Sequence, residues 1–518
     1  MTAETSDPAP SLATWVAFCG LCVGMFMAIL DVQVVASSLP TIQSALRMRP
    51  DQMSWVQTSY LIAEVVAIPL TGFLTRALTM RWLAVLAIGI FVVASIGCAV
   101  SASFADLLFW RVIQGLAGGL LIPQVFSAGF VLFPGRGQAL ATTIAGVLAV
   151  LAPTIGPFVG GWITDTYDWP WLFLINIAPG LVAMAVVGRL LPAAAAELGL
   201  LRSLDLPGLA FMATALACLE IGLKEAPQAG WTSLAVVGFL SASLGIGTLF
   251  ALRTLSSLEP IVDLRALADR NFALGSLLSF ILGVGLYGSI YLMPVFLAFV
   301  RNHSAFEIGQ TMMVMGAAQL LMAPLAVLLE RRASPHLLAA AGFGLFALGL
   351  ALSAFQTRAT DFDDMAVPQL VRGAAIMFCL LPPIRLALAH LSPAAVPNAS
   401  GLFNLLRNLG GAIGLAVIDT VLYSRTPRIA EELGAGLARG DAEIARRVGL
   451  PLDRFLAHTP GTPVEPQVLA YVQGAVRRQA TVEAINEAWM LIALLTLGGA
   501  LAVLLLRPAK QEAGTVGR

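Results

Sequence analysis

Charge is scarce in this chain. Of its 518 residues, 12% are Asp, Glu, Lys or Arg, 30 acidic against 30 basic. That is about half the charged share of an ordinary soluble domain, too little to cover a water-facing surface. Histidine is nearly as rare: His303, His336, His390 and His458 are scattered over separate loops and span ends. They show no metal-ligand spacing, so no metal is expected. No glycine loop leads into Lys-Ser or Lys-Thr, so nucleotide-driven pumping is excluded and no cofactor is expected. Nor is there the clustered nucleophile and base that an enzyme working inside the bilayer would need. No nucleic acid is expected as a partner. The five cysteines (Cys19, Cys22, Cys98, Cys218 and Cys379) all sit in apolar runs, which argues against a disulfide framework. Residues Met1–Ser11 carry no Lys or Arg, unlike a secretory leader, so the first apolar run is expected to be a retained helix.

What the chain has instead is hydrophobic length. Apolar residues make up 58% of it and the mean hydropathy is +0.86. Runs of about 20 apolar residues, each able to cross ~30 Å of hydrocarbon, recur from end to end. Spans are expected near 12–36, 54–74, 82–102, 107–132, 139–163, 171–191, 205–223, 233–252, 272–298, 307–329, 337–356, 366–390, 399–423 and 486–506. This is an all-α polytopic membrane protein with 14 transmembrane helices. Counted over short loops, 13 Lys and Arg fall on the side of the termini and five on the other, which places both termini in the cytoplasm. Residues 424–485 form a long hydrophilic outer connection with eight arginines. Within it Ile429–Val448 is predicted to be an amphipathic helix, and Thr459–Pro463 a break.

Two segments echo each other. Arg111-Val112-Ile113-Gln114-Gly115 with Leu121-Ile122-Pro123 in span 4 resembles Val371-Arg372-Gly373 with Leu380-Leu381-Pro382 in span 12. Repeated halves mark secondary transporters. The domain reading is therefore a six-helix half (1–192), two extra helices with linkers (193–271) and a second six-helix half (272–518).

Asp31 is the most informative residue, because a carboxylate within an apolar span must be neutralised, paired or wetted. Arg111, about one turn into span 4, lies at similar depth and is its expected partner. Glu64 lies near the middle of span 2, beyond snorkelling reach, and completes the proton-coupling candidates. Gln33, Gln114, Asn404 and Arg407 are candidates to line a substrate cavity. In span 5, Pro153, Gly156, Pro157, Gly160 and Gly161 combine freed carbonyls with close-packing small residues, the chemistry of a hinge or gate. Arg372, Arg385, Glu220 and Asp419 are expected to anchor at the membrane interfaces.

These motifs together resemble the 14-helix drug–proton antiporters of the major facilitator superfamily, the EmrB/QacA type, closest to EmrB-like exporters. The helix 1 pattern is matched by Leu30-Asp31 and Leu39-Pro40. R-x-x-Q-G is matched by Arg111, Gln114 and Gly115, and the end of the antiporter motif by Gly156, Pro157, Gly160 and Gly161, with Ala152 in place of its first glycine. Tyr167-Asp168-Trp169 through Asn176, Pro260–Leu264, Arg270-Asn271-Phe272, and Asn404 with Arg407 also look EmrB-like. The superfamily's G-x-L-x-D-R-x-G-R loop is altered: Gly72–Arg81 carries Arg76 where the acid belongs. The resemblance implies a major facilitator fold in 6+2+6 arrangement. It also implies proton-coupled export of amphipathic small molecules, as in multidrug efflux, across a bacterial inner membrane. A periplasmic adaptor and a TolC-type outer-membrane channel are the implied partners. A proton-coupled importer, or an exporter dedicated to one metabolite or siderophore, is the alternative.

Overall fold

Serine and aspartate caps set where the apolar runs become helices. The computed structural model describes residues 11–48, 55–133, 136–203, 205–257, 260, 262–330, 332–388, 391, 396–451 and 466–505. In it Ser11, Ser103, Ser233 and Ser334 each accept a hydrogen bond from the backbone N–H three residues on. Asp205 and Asp269 do the same for Gly208 and Phe272. Each satisfies a donor that the first turn of a helix leaves open.

The N-terminal half comprises α1 (Leu12–Ala45), α2 (Trp55–Ala67), α3 (Leu70–Ala99), α4 (Phe104–Val131), α5 (Arg136–Thr166), the short α6 (Trp171–Leu174) and α7 (Ile177–Leu190). Two further helices follow, α8 (Leu206–Ala229) and α9 (Leu234–Ser256). The C-terminal half contains α10 (Arg270–Phe299), α11 (Ala305–Glu330), α12 (Pro335–Leu352), α13 (Phe362–Leu388), α14 (Val396–Ala438), α15 (Ala442–Val448) and α16 (Pro466–Leu505).

Among the described residues, 13 helices are long and apolar enough to cross a membrane. The span expected at 54–74 is not one of them, because Pro69 interrupts it. Its last turns, from Leu70 on, run into α3 until Thr79 turns the chain with φ 72° and ψ 156°. Joined across Pro69, α2 and those turns supply the remaining crossing of the 14-helix architecture. Thr79 stands where the superfamily's loop pattern has its second glycine, the residue that adopts such a φ without strain.

Within the first half α1 packs on α4, α5 and α7, α2 on α4, and α3 on α4 and α7. In the second, α10 packs on α13, α14 and α16, and α13 also on α11 and α12. The halves meet along α5 and α11, and where the start of α14 lies on α3 and α4. Helices α8 and α9 pair with each other, and α8 lies against α2 and α14, covering that side of the seam. Almost none of α9 is buried, as expected of a helix apolar all round whose solvent is lipid.

At ~65 Å and ~60 Å by their 43 and 40 residues, α14 and α16 are twice the thickness of the hydrocarbon. Their paired ends project beyond the bundle. Ile429, Leu433, Ala445, Val448, Val476 and Ala480 form a small core there. Arg425 binds Glu487 through two hydrogen bonds of 2.6 and 2.7 Å, and Arg447 binds Glu483 at 2.7 Å. The helix expected over Ile429–Val448 is thus two, the end of α14 and α15, separated at Gly440, where φ is +81°. Residues Thr459–Pro463, the expected break, lie outside the described residues.

Candidate functional site: a closed polar network around Asp31

Asp31 lies midway along α1 with no part of it reachable by solvent. Arg111 of α4 donates from Nη1 to Asp31 Oδ2. Gln114, one turn on, and Asn176, at the start of α7, both donate to Oδ1 at 2.9 Å. Gln114 Nε2 also reaches Ser95 Oγ of α3 at 2.9 Å, and its Oε1 accepts from Arg111 at 2.7 Å. The carboxylate therefore joins α1, α4 and α7, and Gln114 extends the network to α3.

Helix α2 closes the remaining side. Arg111 Nε donates to the Val56 carbonyl at 3.1 Å, and its guanidinium stacks 4.4 Å from the centre of the Tyr60 ring. The Tyr60 hydroxyl donates to the Ala28 carbonyl at 3.1 Å, three residues before Asp31. Glycine makes this possible. Gly115 backs directly onto Tyr60 and Ala63, and Gly119 onto Glu64 and Ala67, so any side chain there would push α2 away. The Arg-x-x-Gln-Gly spacing places the two donors and the close-approach residue on one α4 surface. Ion pairs this deep survive only when the remaining lone pairs are hydrogen-bonded, and here both carboxylate oxygens are.

The other sequence candidates lie elsewhere. Glu64, a turn beyond Tyr60, is buried and feels the charges of Arg111 and of Glu220 on α8, but does not enter the network. Gln33 packs on Gly156 of α5. Helix α5 runs unbroken through Pro153 and Pro157. Its other surface meets α11, where Thr154 lies on Gly316, Phe158 lies on Gly309, and the Phe158 and Phe306 rings are 4.8 Å apart. The Gly160 carbonyl accepts from Ser38 of α1 at 3.4 Å. This glycine–proline segment is thus a joint, with α1 on one side and the other half on the second. Asn404 and Arg407 bond to each other on α14, with the Arg407 guanidinium 5.9 Å from the Phe126 ring of α4. They belong to the second contact between the halves, beside the bond from Ser400 to the Pro123 carbonyl at 3.3 Å. Cavities of about 870 and 590 Å³ open beside the projecting helices, and none of these residues lines them. Among the described residues, no three His, Cys, Asp or Glu side chains gather as metal ligands would.

The second half repeats the α2–α4 contact. Gly373 of α13 backs onto Met315 and Ala318 of α11, as Gly115 does onto Tyr60 and Ala63. Four residues before Gly373, Gln369 donates to the Thr311 carbonyl at 2.8 Å, as Arg111 does to Val56. Within the echo read from sequence, Gln369 therefore occupies the place of Arg111, and Arg372 that of Gln114. Arg372 is not at the interface, as expected, but buried.

Two six-helix halves with the same internal contact are what a duplicated transporter fold requires, and sequence comparison agrees. Residues 21–415 match the Major Facilitator Superfamily. The chain belongs to this superfamily. Among its relatives, the colistin resistance protein EmrB of Acinetobacter baumannii is 34% identical over 94% of this chain and 95% of the relative. The multidrug export protein EmrB of Escherichia coli K12 is 29% identical over 78% and 79%. The fatty acid resistance protein FarB of Neisseria gonorrhoeae is 29% identical over 79% and 81%. The chain is thus an EmrB-type member, a transport protein and not an enzyme. The crystal structure of the human organic anion transporter MFSD10 has the same fold, with a TM-score of 0.57 at 14% identity over 93% of this chain and 99% of that one.

In this superfamily member, Ser95, Tyr60 and Asn176 are network residues that the candidate set lacked. Asn176 lay within an EmrB-like stretch. Ser95 and Tyr60 give no signal, since neutral polar residues are common in apolar helices and nothing in their spacing points inward.

Proposed function

We propose that this chain is a proton-coupled antiporter that exports amphipathic small molecules across a bacterial inner membrane, with both termini cytoplasmic. The observation that carries this reading is the enclosed Asp31 network. A single titratable carboxylate whose ionised form is held by Arg111, Gln114 and Asn176 ties α1, α4 and α7 together, and through Gln114 and Ser95 also α3. Protonation removes the charge that those donors address, so the arrangement of α1 against α3, α4 and α7 depends on proton occupancy. Two residues along α1, Gln33 rests on Gly156, and the far side of α5 rests on α11. A change in α1 therefore reaches the joint between halves directly. Alternating access is the rocking of such halves about a site between them. Glu64, buried beside this network, is a candidate second proton carrier. Gln33, Gln114, Asn404 and Arg407 are candidates for the substrate path.

Export as the direction, and a broad substrate class, rest on the relatives, whose names speak of colistin resistance, multidrug export and fatty acid resistance. The positive-inside count supports the orientation. The test is transport in proteoliposomes with an imposed pH gradient. Wild type is expected to move a dye or antibiotic against its gradient, and Asp31→Asn to lose gradient-driven transport while remaining folded. Full gradient-driven transport by Asp31→Asn would refute the assignment.

A further inference from the structure

We propose that the C-terminal half contains a buried monovalent-anion site formed by Arg372 and Trp489. Both side chains are shut from solvent, Arg372 at 1% and Trp489 at 0% exposure. The Arg372 guanidinium carbon lies 4.7 Å from the centre of the indole. Three buried nitrogen donors of this pair have no acceptor: Nε and Nη1 of Arg372 and Nε1 of Trp489.

The relation between the halves sharpens the point. Arg372 stands in the place of Gln114, which in the first half donates to a carboxylate. The first half supplies its own anion in Asp31. The second does not, because α10 and α12 contain no acid, and those of α11 and α13 lie near their ends. On α16, Glu487 is held by Arg425 and Glu483 by Arg447, and on α14 Asp419, within the apolar run, accepts from Tyr291 of α10 at 2.6 Å, while Glu431 and Glu432 lie on its projecting end. Gly349 of α12 backs onto Arg372 where, in the first half, Ser95 of α3 meets Gln114, so the position equivalent to Ser95 brings no side chain.

Arg372 is ten residues from the start of α13 at Phe362, ~15 Å along the helix axis. That is too deep for its guanidinium to reach the interface by snorkelling. A cation in that setting needs a counter-charge. One negative charge beside the pair answers the charge of Arg372 and accepts from the indole N–H and from one nitrogen of the guanidinium. A halide ion or the carboxylate of an organic solute has this chemistry, whereas a divalent anion would leave an excess charge.

The test uses the full-length protein purified in detergent, with thermal unfolding followed in sodium gluconate at fixed ionic strength while chloride, bromide, acetate or octanoate replaces gluconate. Wild type is expected to show a saturable rise in Tm. Saturation by chloride and bromide assigns a halide ion, and saturation by octanoate or acetate alone assigns a solute carboxylate. Arg372→Gln, which restores the amide found in the first half, should abolish the response. Trp489→Phe keeps the ring but removes the N–H, and should weaken binding about tenfold, the scale of one lost charge-assisted hydrogen bond. Bromide anomalous scattering from wild-type crystals reads the site without any variant, with a peak beside Arg372 expected for a halide site. Absence of a saturable response to all four anions, or an undiminished response in both variants, would overturn the proposal.

Discussion

Gln114 and Asn176, from α4 and α7, donate to the same oxygen of Asp31, each at 2.9 Å. Two neutral donors on one carboxylate oxygen, with Arg111 on the other, leave the ionised form fully addressed and the protonated form with donors to spare. Asn176 should therefore matter to transport although it carries no charge. Asn176→Ala is expected to cost about 1.5–3 kcal/mol, the range for a hydrogen bond to a charged group. It should also reduce gradient-driven efflux while leaving solute counterflow in place. Combined with Asp31→Asn, it should cost less than the two single changes together, because its charged partner is gone. Thermal unfolding of the four proteins measures this coupling.

Arg111 makes three kinds of contact at once: the ion pair to Asp31, the bond to the Val56 carbonyl and the stack on Tyr60. Arg111→Ala leaves a buried charge unpaired and should destabilise by about 3–5 kcal/mol. Arg111→Lys keeps the charge but lacks the planar fork and should also be defective. Asp31→Asn with Arg111→Gln removes both charges and should recover much of the stability, but none of the pH-driven transport. Melting temperature and proteoliposome efflux, taken together, separate structure from coupling.

This pair was legible because Asp31 and Arg111 are charged residues at similar depth on two spans, where charge is costly enough to need an explanation. Gln114 was legible too, through Arg-x-x-Gln-Gly, and Asn176 only as part of an EmrB-like stretch; Ser95 and Tyr60 were not, since neutral polar residues raise no such alarm in an apolar helix. The apolar runs located the crossings, but Pro69 divided one of them, and helix α14 ran on past its apolar part to Ala438. The repeat between halves was visible, but which residues correspond was not stated by it. The backbone pairs Gly115 with Gly373 and so puts Arg372 in the place of Gln114 and Gln369 in that of Arg111. Only the contacts of these glycines with Tyr60 and Met315 reveal this.

Thr79 adopts a positive φ that a residue with a Cβ tolerates poorly. Thr79→Gly should relieve that strain and stabilise by about 1 kcal/mol, less the greater freedom that glycine brings to the unfolded chain. Thr79→Val should do the opposite. A shift in melting temperature of the expected sign in both variants checks the turn assignment.

Outside the spans, Asp205 caps α8 through Gly208 and bonds to Arg253 at 2.7 and 2.8 Å. The hydrogen bond from Arg253 is the main reason its carboxyl titrates below the ordinary 3.8. A carboxylate lowered in the folded state adds stability that is present above its unfolded value and lost as pH falls through the folded one. The packing of α8 on α9 should therefore loosen in acid, below about pH 4. Asp205→Asn should remove that pH dependence while keeping a capping oxygen. Hydrogen exchange of the first turn of α8 between pH 3 and 6 reports it.

The projecting ends of α14 and α16 enclose a core of their own, clamped by Arg425 with Glu487 and Arg447 with Glu483. Two helix ends that lie side by side need only a few residues to join, so a folded structure of this size calls for a use. The EmrB resemblance implies docking of a periplasmic adaptor that leads to a TolC-type channel, and the alternative is a solvated flap that only shields the outer mouth of the cavity. Replacing residues 440–475 with a short Gly/Ser linker should abolish crosslinking to the adaptor and resistance in cells, while leaving transport in adaptor-free proteoliposomes within about twofold of wild type. Val448→Asp, which places a charge in the small core, should weaken crosslinking through loss of shape alone. If the shortened protein fails to transport in proteoliposomes, the projection serves the transport cycle itself, and the docking role falls.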